Sequence, residues 1–384
     1  MEFVKACFLD MVWKDGYMWF FDNRIQALCK MDTTDFKIEV ISVYKGEKRF
    51  YVRKIFWFQN NFYFATGNSA SVLIYDGENF FLQEPSFETD SEVYIAFKED
   101  HCIYFFPLPM NERMVCFDLY TQKYSDMLLW DLSVKEKVGD LKPDIVYPCF
   151  YKGDIWFPIP KTAFYGRYCL AEKKMDLFQE ADQGIHISGI CFDGENIWLT
   201  QEESRDVICV GKKRIEISAG QPYTWLYNTD NYVIVSMRCG DKILLIDKET
   251  LKVSMIDLPL NEEEKQGNKH YDIVNCCESN DFVFLFQHKI GDLTVLYKKT
   301  LEIKRVKLQC ENYAENCFWG RERYTEEYED INLERLIQLS GREIDLTAGQ
   351  ENERDSGKTI WKHVRRVAEY EAVKVLHLWG RKRI

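Results

Sequence analysis

Short apolar strings and tight polar turns alternate along this chain, and the unit is clearest from Phe192 to Ser218. A polar turn (Asp193, Gly194, Glu195, Asn196) opens an apolar strand at Ile197, Trp198 and Leu199. A polar loop leads to a second strand over Val207 to Val210, and a Gly-Lys-Lys turn to a third over Arg214 to Ile217. Aromatic and β-branched side chains suit a half-buried pleated surface, and Asp, Asn and Gly suit the hairpins between.

The unit returns along most of the chain. Anchored on the Trp198 slot, it recurs at Trp19, Tyr63, Tyr104, Trp156, Trp198, Ile234 and Phe284, with spacings of 44, 41, 52, 42, 36 and 50 residues. The mean, about 44, lies within the ~40–50 residues of a propeller blade. A polar turn before a closing strand recurs as well, at Asp118 to Lys123, Asp247 to Lys252, Lys298 to Glu302 and Asp76 to Asn79. Each unit is therefore a four-stranded meander. One such sheet has open edges and a poorly buried face, and radial packing of several copies covers both. The pattern predicts an all-β fold, a seven-bladed β-propeller over residues 1–310, followed by a C-terminal α-helical extension over 311–384.

Seven positions before the anchors stand Val12, Phe56, Phe97, Cys149, Cys191, Tyr227 and Cys277. A slot shared by Cys, Val and aromatics reads as packing on the innermost strand, so these thiols are expected to be small core residues. Within blade 5 the string Gly189 to Gln201 (GICFDGENIWLTQ) resembles the repeat that opens each blade of NHL and streptogramin-lyase-like propellers. The resemblance covers that blade. Around Trp19 and Trp156 it is reduced to a Gly shortly before the Trp, and in the other four blades to the apolar pattern. It implies the propeller fold and, through the lyases, admits metal-assisted chemistry as an alternative.

From Glu322 the period becomes helical, with Tyr324, Tyr328, Ile331, Arg335 and Leu339 on one face and Gly341 as a stop. After a polar linker, Ser356 caps a second helix carrying Trp361, Val364, Ala368, Ala372, Val375 and Trp379. The string Ser356-Gly-Lys-Thr359 is a helix start, not a phosphate loop, because Asn352 stands where that loop needs Gly and no strand precedes it. Residues 354–384 hold nine Lys/Arg against three acids, whereas the preceding helix is acidic. The two helices are expected to pair; the alternative is docking of the basic helix on an acidic partner or an anionic surface.

The whole chain, 384 residues, carries a net charge of −12, which argues against a general nucleic-acid binder. Its 46% hydrophobic and 29% charged content is that of a globular protein. No run approaches the ~18 apolar residues of a membrane span, and the N-terminus lacks the layout of an export signal. The 13 cysteines form no C-x-x-C pair and no Asn-x-Ser/Thr site occurs, so a cytoplasmic setting with reduced thiols is expected.

Candidate binding residues form a ring. Just before the innermost strands come Tyr51, Tyr94, Tyr147, His186, Tyr223 with Trp225, and His270 with Tyr271. At a channel mouth such side chains would stack on a ligand; the competing expectation is that they pack between blades. Loops after the second strands add Asp22, Asn23, Arg24, Asn68, Lys161, Gln201, Glu202, Arg205, Arg238, His288 and Lys289. The leading reading is a non-enzymatic binding or scaffold propeller presenting its channel mouth to a protein, peptide or glycan, with no cofactor. The alternative is a metal-assisted lyase or hydrolase drawing on His186, Glu202, His270, Asp272 and His288, although none lies in a close-set ligand motif.

Overall fold

The structure, a computed structural model, describes the chain from residue 2 to 313 except 5, 47–49, 68, 88, 90–92, 109–112, 130–135, 138–146, 160, 181–185, 202–203, 205, 217–222, 238–240, 263–272, 288–292 and 312. The expected helices after residue 322 lie outside the described residues.

Seven four-stranded antiparallel blades follow one another at residues 12–43, 52–83, 93–128, 149–179, 187–215, 223–257 and 273–306. In every blade the strand order is the chain order. The seven anchors sit on the second strands, each directly opposite the residue seven positions earlier: Val12↔Trp19, Phe56↔Tyr63, Phe97↔Tyr104, Cys149↔Trp156, Cys191↔Trp198, Tyr227↔Ile234 and Cys277↔Phe284. Cys191 and Trp198 are wholly buried, and the Cys191 thiol is pushed well up by its hydrogen bond to the Cys149 thiol and by burial.

Second and third strands are covered on both faces by the neighbouring blades, which is why Val72–Tyr75 and Lys242–Asp247 read as nearly unbroken apolar runs. Fourth strands such as Lys123–Leu128 and Val253–Asp257 are more exposed and carry more charge. The core is accordingly a set of inter-blade layers. Blades 2 and 3 share Tyr63, Val72 and Ile74 with Ile103, Phe105 and Phe117, and blades 5 and 6 share Trp198 and Val207 with Val233 and Leu244. Each fully buried side chain of this size contributes about 1.5–3 kcal/mol.

The turns work as the polar residues suggest. Asp76, Asp118 and Asp247 each accept backbone N–H bonds from residues two or three positions ahead, fixing the last hairpin of blades 2, 3 and 6. In blade 5 Asp193 accepts from the backbone N–H groups of Glu195 and Asn196 and, at 2.7 Å, from the Trp198 indole. Burial works against this carboxylate, yet those bonds together hold it below its ordinary pKa.

Ring closure was not legible in the repeats. Leu308–Cys310, just past blade 7, adds parallel to Lys37–Val43, the outer strand of blade 1, and Glu2–Val4 pairs antiparallel on its far side. Both chain ends of the propeller unit, Met1–Asn316, thus meet on one sheet. Tyr313 then donates its hydroxyl to the fully buried Asp22 at 2.6 Å. Between blades 7 and 1 the ring of Phe8 packs on Phe20 and Phe286.

Candidate functional site

The innermost strands, with the residues leading into them, enclose a central cavity of about 510 Å³. One ring of residues around it follows a fixed rule. Nine positions before the seven anchors stand Asp10, Lys54, Ile95, Tyr147, Gly189, Trp225 and Asn275, one per blade, and all seven line the cavity. In blades 2, 5, 6 and 7 the pairing of first and second strands slips by one residue immediately before this position, so a bulge marks it. Bulges of this kind re-aim side chains.

The ring has two unlike arcs. Blades 7, 1 and 2 supply Asn275, Asp10 and Lys54 as a closed polar network. The Lys54 ammonium donates to Asp10 Oδ1 (3.2 Å) and Asn275 Oδ1 (3.1 Å), and Asn275 Nδ2 donates to Asp10 Oδ1 and to the Leu9 carbonyl, both at 2.9 Å. Asp10 Oδ2 accepts from the Ile55 N–H at 3.1 Å. Burial pushes the Asp10 carboxyl above its ordinary range, and the Lys54 charge and these hydrogen bonds only partly offset it.

Blades 4 and 6 supply the aromatic arc. The rings of Tyr147 and Trp225 pack against each other, tilted by 31° with centroids 3.3 Å apart, and Tyr227 lies parallel to Trp225 at 6.2 Å. Blade 5, between them, contributes Gly189 at the ring position. Tyr147 also bridges Gly189 through its backbone. The cavity wall further holds Arg53 and Asn228, whose Nε and Oδ1 atoms have no partner among the described residues. A buried polar atom left in this state costs free energy.

Tyr147 and Trp225, of the residues expected from sequence, are brought together on the cavity. Tyr51 is half-buried with the Arg53 guanidinium 5.9 Å over its ring. Tyr94 is 2% exposed, packed in the layer between blades 2 and 3 with its ring edge-on to Phe105. His186 and Lys161 are exposed, and Arg24 is half-buried, its N–H donating to Asp22. None of these five residues is among those lining the cavity. Tyr223 starts the innermost strand of blade 6, Tyr223–Asn228. Asn68, Glu202, Arg205, Arg238, His270, Tyr271, Asp272, His288 and Lys289 lie outside the described residues. Asp10, Lys54, Gly189 and Asn275 are not among the aromatic, imidazole and loop residues expected from sequence; the signal that marks them is their constant offset of nine from the anchors.

This architecture recurs among solved structures. The chain is similar to YCF48 from Cyanidioschyzon merolae (TM-score 0.56, 8% identity, covering 76% of this chain and 95% of that one) and to YCF48 bound to D1 peptide (TM-score 0.54, 10% identity, 76% and 93%). It is also similar to the computationally designed Ika8 protein (TM-score 0.51, 10% identity, 81% and 91%). At such identities the likeness is one of fold. No protein-family model and no curated protein matches the sequence.

Proposed function

We propose that this propeller is a non-enzymatic binding protein whose central cavity receives a terminus or loop of a partner polypeptide. The observation that carries the reading is the divided ring: a Tyr147–Trp225 pair in close contact on the wall of a cavity of about 510 Å³, opposite a self-satisfied polar arc. That volume is in the ~300–1,000 Å³ range of ligand sites. It admits a few side chains, not a folded domain. Aromatic faces give contact area at little entropic cost. The peptide-bound YCF48 structure supports the reading by showing a similarly folded protein with a peptide. A cytoplasmic setting, expected from the cysteine pattern, belongs to the same proposal.

Panning a displayed random-peptide library on the purified protein tests it. Enriched peptides should bind the wild type and lose at least ~10-fold in affinity on Tyr147→Ala and Trp225→Ala. Failure to enrich any peptide, or enriched peptides indifferent to both changes, would overturn the reading, and selective capture of glycans on an array would replace it.

A further inference from the structure

Blade 3 carries a constellation that the cavity does not use. His101, in the turn between its first and second strands, and Cys102, the first residue of Cys102–Leu108, face Asp118, which pairs directly with Cys102 across the sheet. One imidazole nitrogen, the Cys102 sulfur and one Asp118 oxygen lie within 4.8 Å of one another, and His101 Nε2 is 3.3 Å from Asp118 Oδ2. All three residues are half-buried, so solvent reaches the group while its geometry is held.

Three features hold it. Asp118 Oδ1 is occupied by the Tyr120 N–H (3.0 Å), the Thr121 N–H (2.8 Å) and the Thr121 hydroxyl (3.0 Å), which turns Oδ2 toward His101. The His101 carbonyl accepts from the Leu119 N–H at 2.7 Å, and the imidazole packs at 5.1 Å on the Tyr120 ring. The turn itself is generic, since Asp76 and Asp247 build the same one in blades 2 and 6. What is particular to blade 3 is the His-Cys pair: the same two slots hold Asn60 and Asn61 in blade 2, and Asn231 and Tyr232 in blade 6.

We infer that His101, Cys102 and Asp118 form a Zn²⁺ site on the rim of blade 3, with water completing a tetrahedron. Imidazole, thiolate and carboxylate are the donors zinc takes. Bonds of 2.0–2.3 Å give ligand–ligand edges of roughly 3.3–3.8 Å, so the present cluster needs only a small contraction. Binding deprotonates Cys102 and releases its proton to solvent, making affinity rise with pH. Cys116, on the same face of the neighbouring strand, hydrogen-bonds Cys102, and its own thiol is pushed up to about 12, by burial first and by Cys102 second.

The test titrates the full-length reduced protein with Zn²⁺, and separately with Co²⁺ as a spectroscopic probe. The inference expects one Zn²⁺ equivalent whose affinity falls by more than ~10-fold in both Cys102→Ser and His101→Ala, and a thiolate-to-cobalt charge-transfer band absent in Cys102→Ser. Unchanged Zn²⁺ stoichiometry and affinity in the two variants, or no saturable binding by the wild type, overturns it. Should Cys102→Ser fail to fold, His101→Ala, at a side chain 45% exposed, decides the matter by itself. Peptide binding at the central cavity is expected to be the same with and without metal, so this result and that of the library panning are independent.

Discussion

The two arcs of the cavity ring occupy equivalent positions in the repeat, yet they solve different problems. Asn275, Asp10 and Lys54 satisfy one another: three donors converge on the Asp10 carboxyl, and Asn275 uses both ends of its amide. They sit in blades 7, 1 and 2, where the last blade meets the first. The rings of Tyr147 and Trp225 sit in blades 4 and 6, within the uninterrupted run of blades, and offer faces that can stack on any planar or apolar group. The polar arc links blades 7, 1 and 2 on the cavity side while Leu308–Cys310 joins the outer edge of blade 1, and in the function proposed above the aromatic arc is the part that meets a ligand. In a radial repeat each slot is copied once per blade, so a seam and a binding surface can be written at one level by changing a few side chains.

Lys54→Met gives the largest effect expected from this comparison. It leaves Asp10 with fewer partners at a nearly buried position, and urea unfolding should show a loss of about 2–4 kcal/mol. A loss below ~1 kcal/mol would mean that the seam is held elsewhere. Trp225→Ala should act the other way round, costing about 2 kcal/mol in peptide affinity, some 30-fold, with little change in unfolding free energy.

The arcs should also differ in pH response. Asp10 has a folded pKa raised above its unfolded value near ~3.9, chiefly by burial. Its contribution to stability is therefore fully present below the unfolded pKa and is lost as pH rises through the folded one. Asp10→Asn should remove that slope in a plot of unfolding free energy against pH, whereas Trp225→Ala should leave it. Asp118 and Asp193, with depressed values, contribute with the opposite sign, their share being lost as pH falls below ~4 through their folded pKa values. Gly189→Ala gives the smallest effect. A methyl group added to the cavity wall at this position should weaken peptide binding by less than about 1 kcal/mol and leave the seam untouched.

Much of this was legible in the sequence because the repeat fixes register. Anchors from Trp19 to Phe284 located seven second strands, and the slot seven residues before each gave the residue paired opposite it. The aspartates at 76, 118 and 247 gave the turns. What stayed hidden obeys no repeat. Glu2–Val4 and Leu308–Cys310 are three-residue strands that match no blade, and their pairing is parallel on one side, which no local pattern announces. The polar arc is a different case: Asp10, Lys54 and Asn275 do keep the repeat's offset of nine from the anchors, but that they bond one another follows only once blades 7, 1 and 2 are brought around a circle. Tyr94 shows the converse. Its residue type suggested a rim position, but its strand starts deep enough for the ring to lie against Phe105.

The crossed measurement on Lys54→Met and Trp225→Ala tests the division of the ring most directly, with unfolding free energy and affinity for one library-selected peptide recorded for both. The account predicts that the first variant loses stability while keeping most of its affinity for the peptide, and that the second does the reverse. Parallel losses in both quantities for both variants would contradict it, since the ring would then be one structural unit with no arc set aside for a ligand.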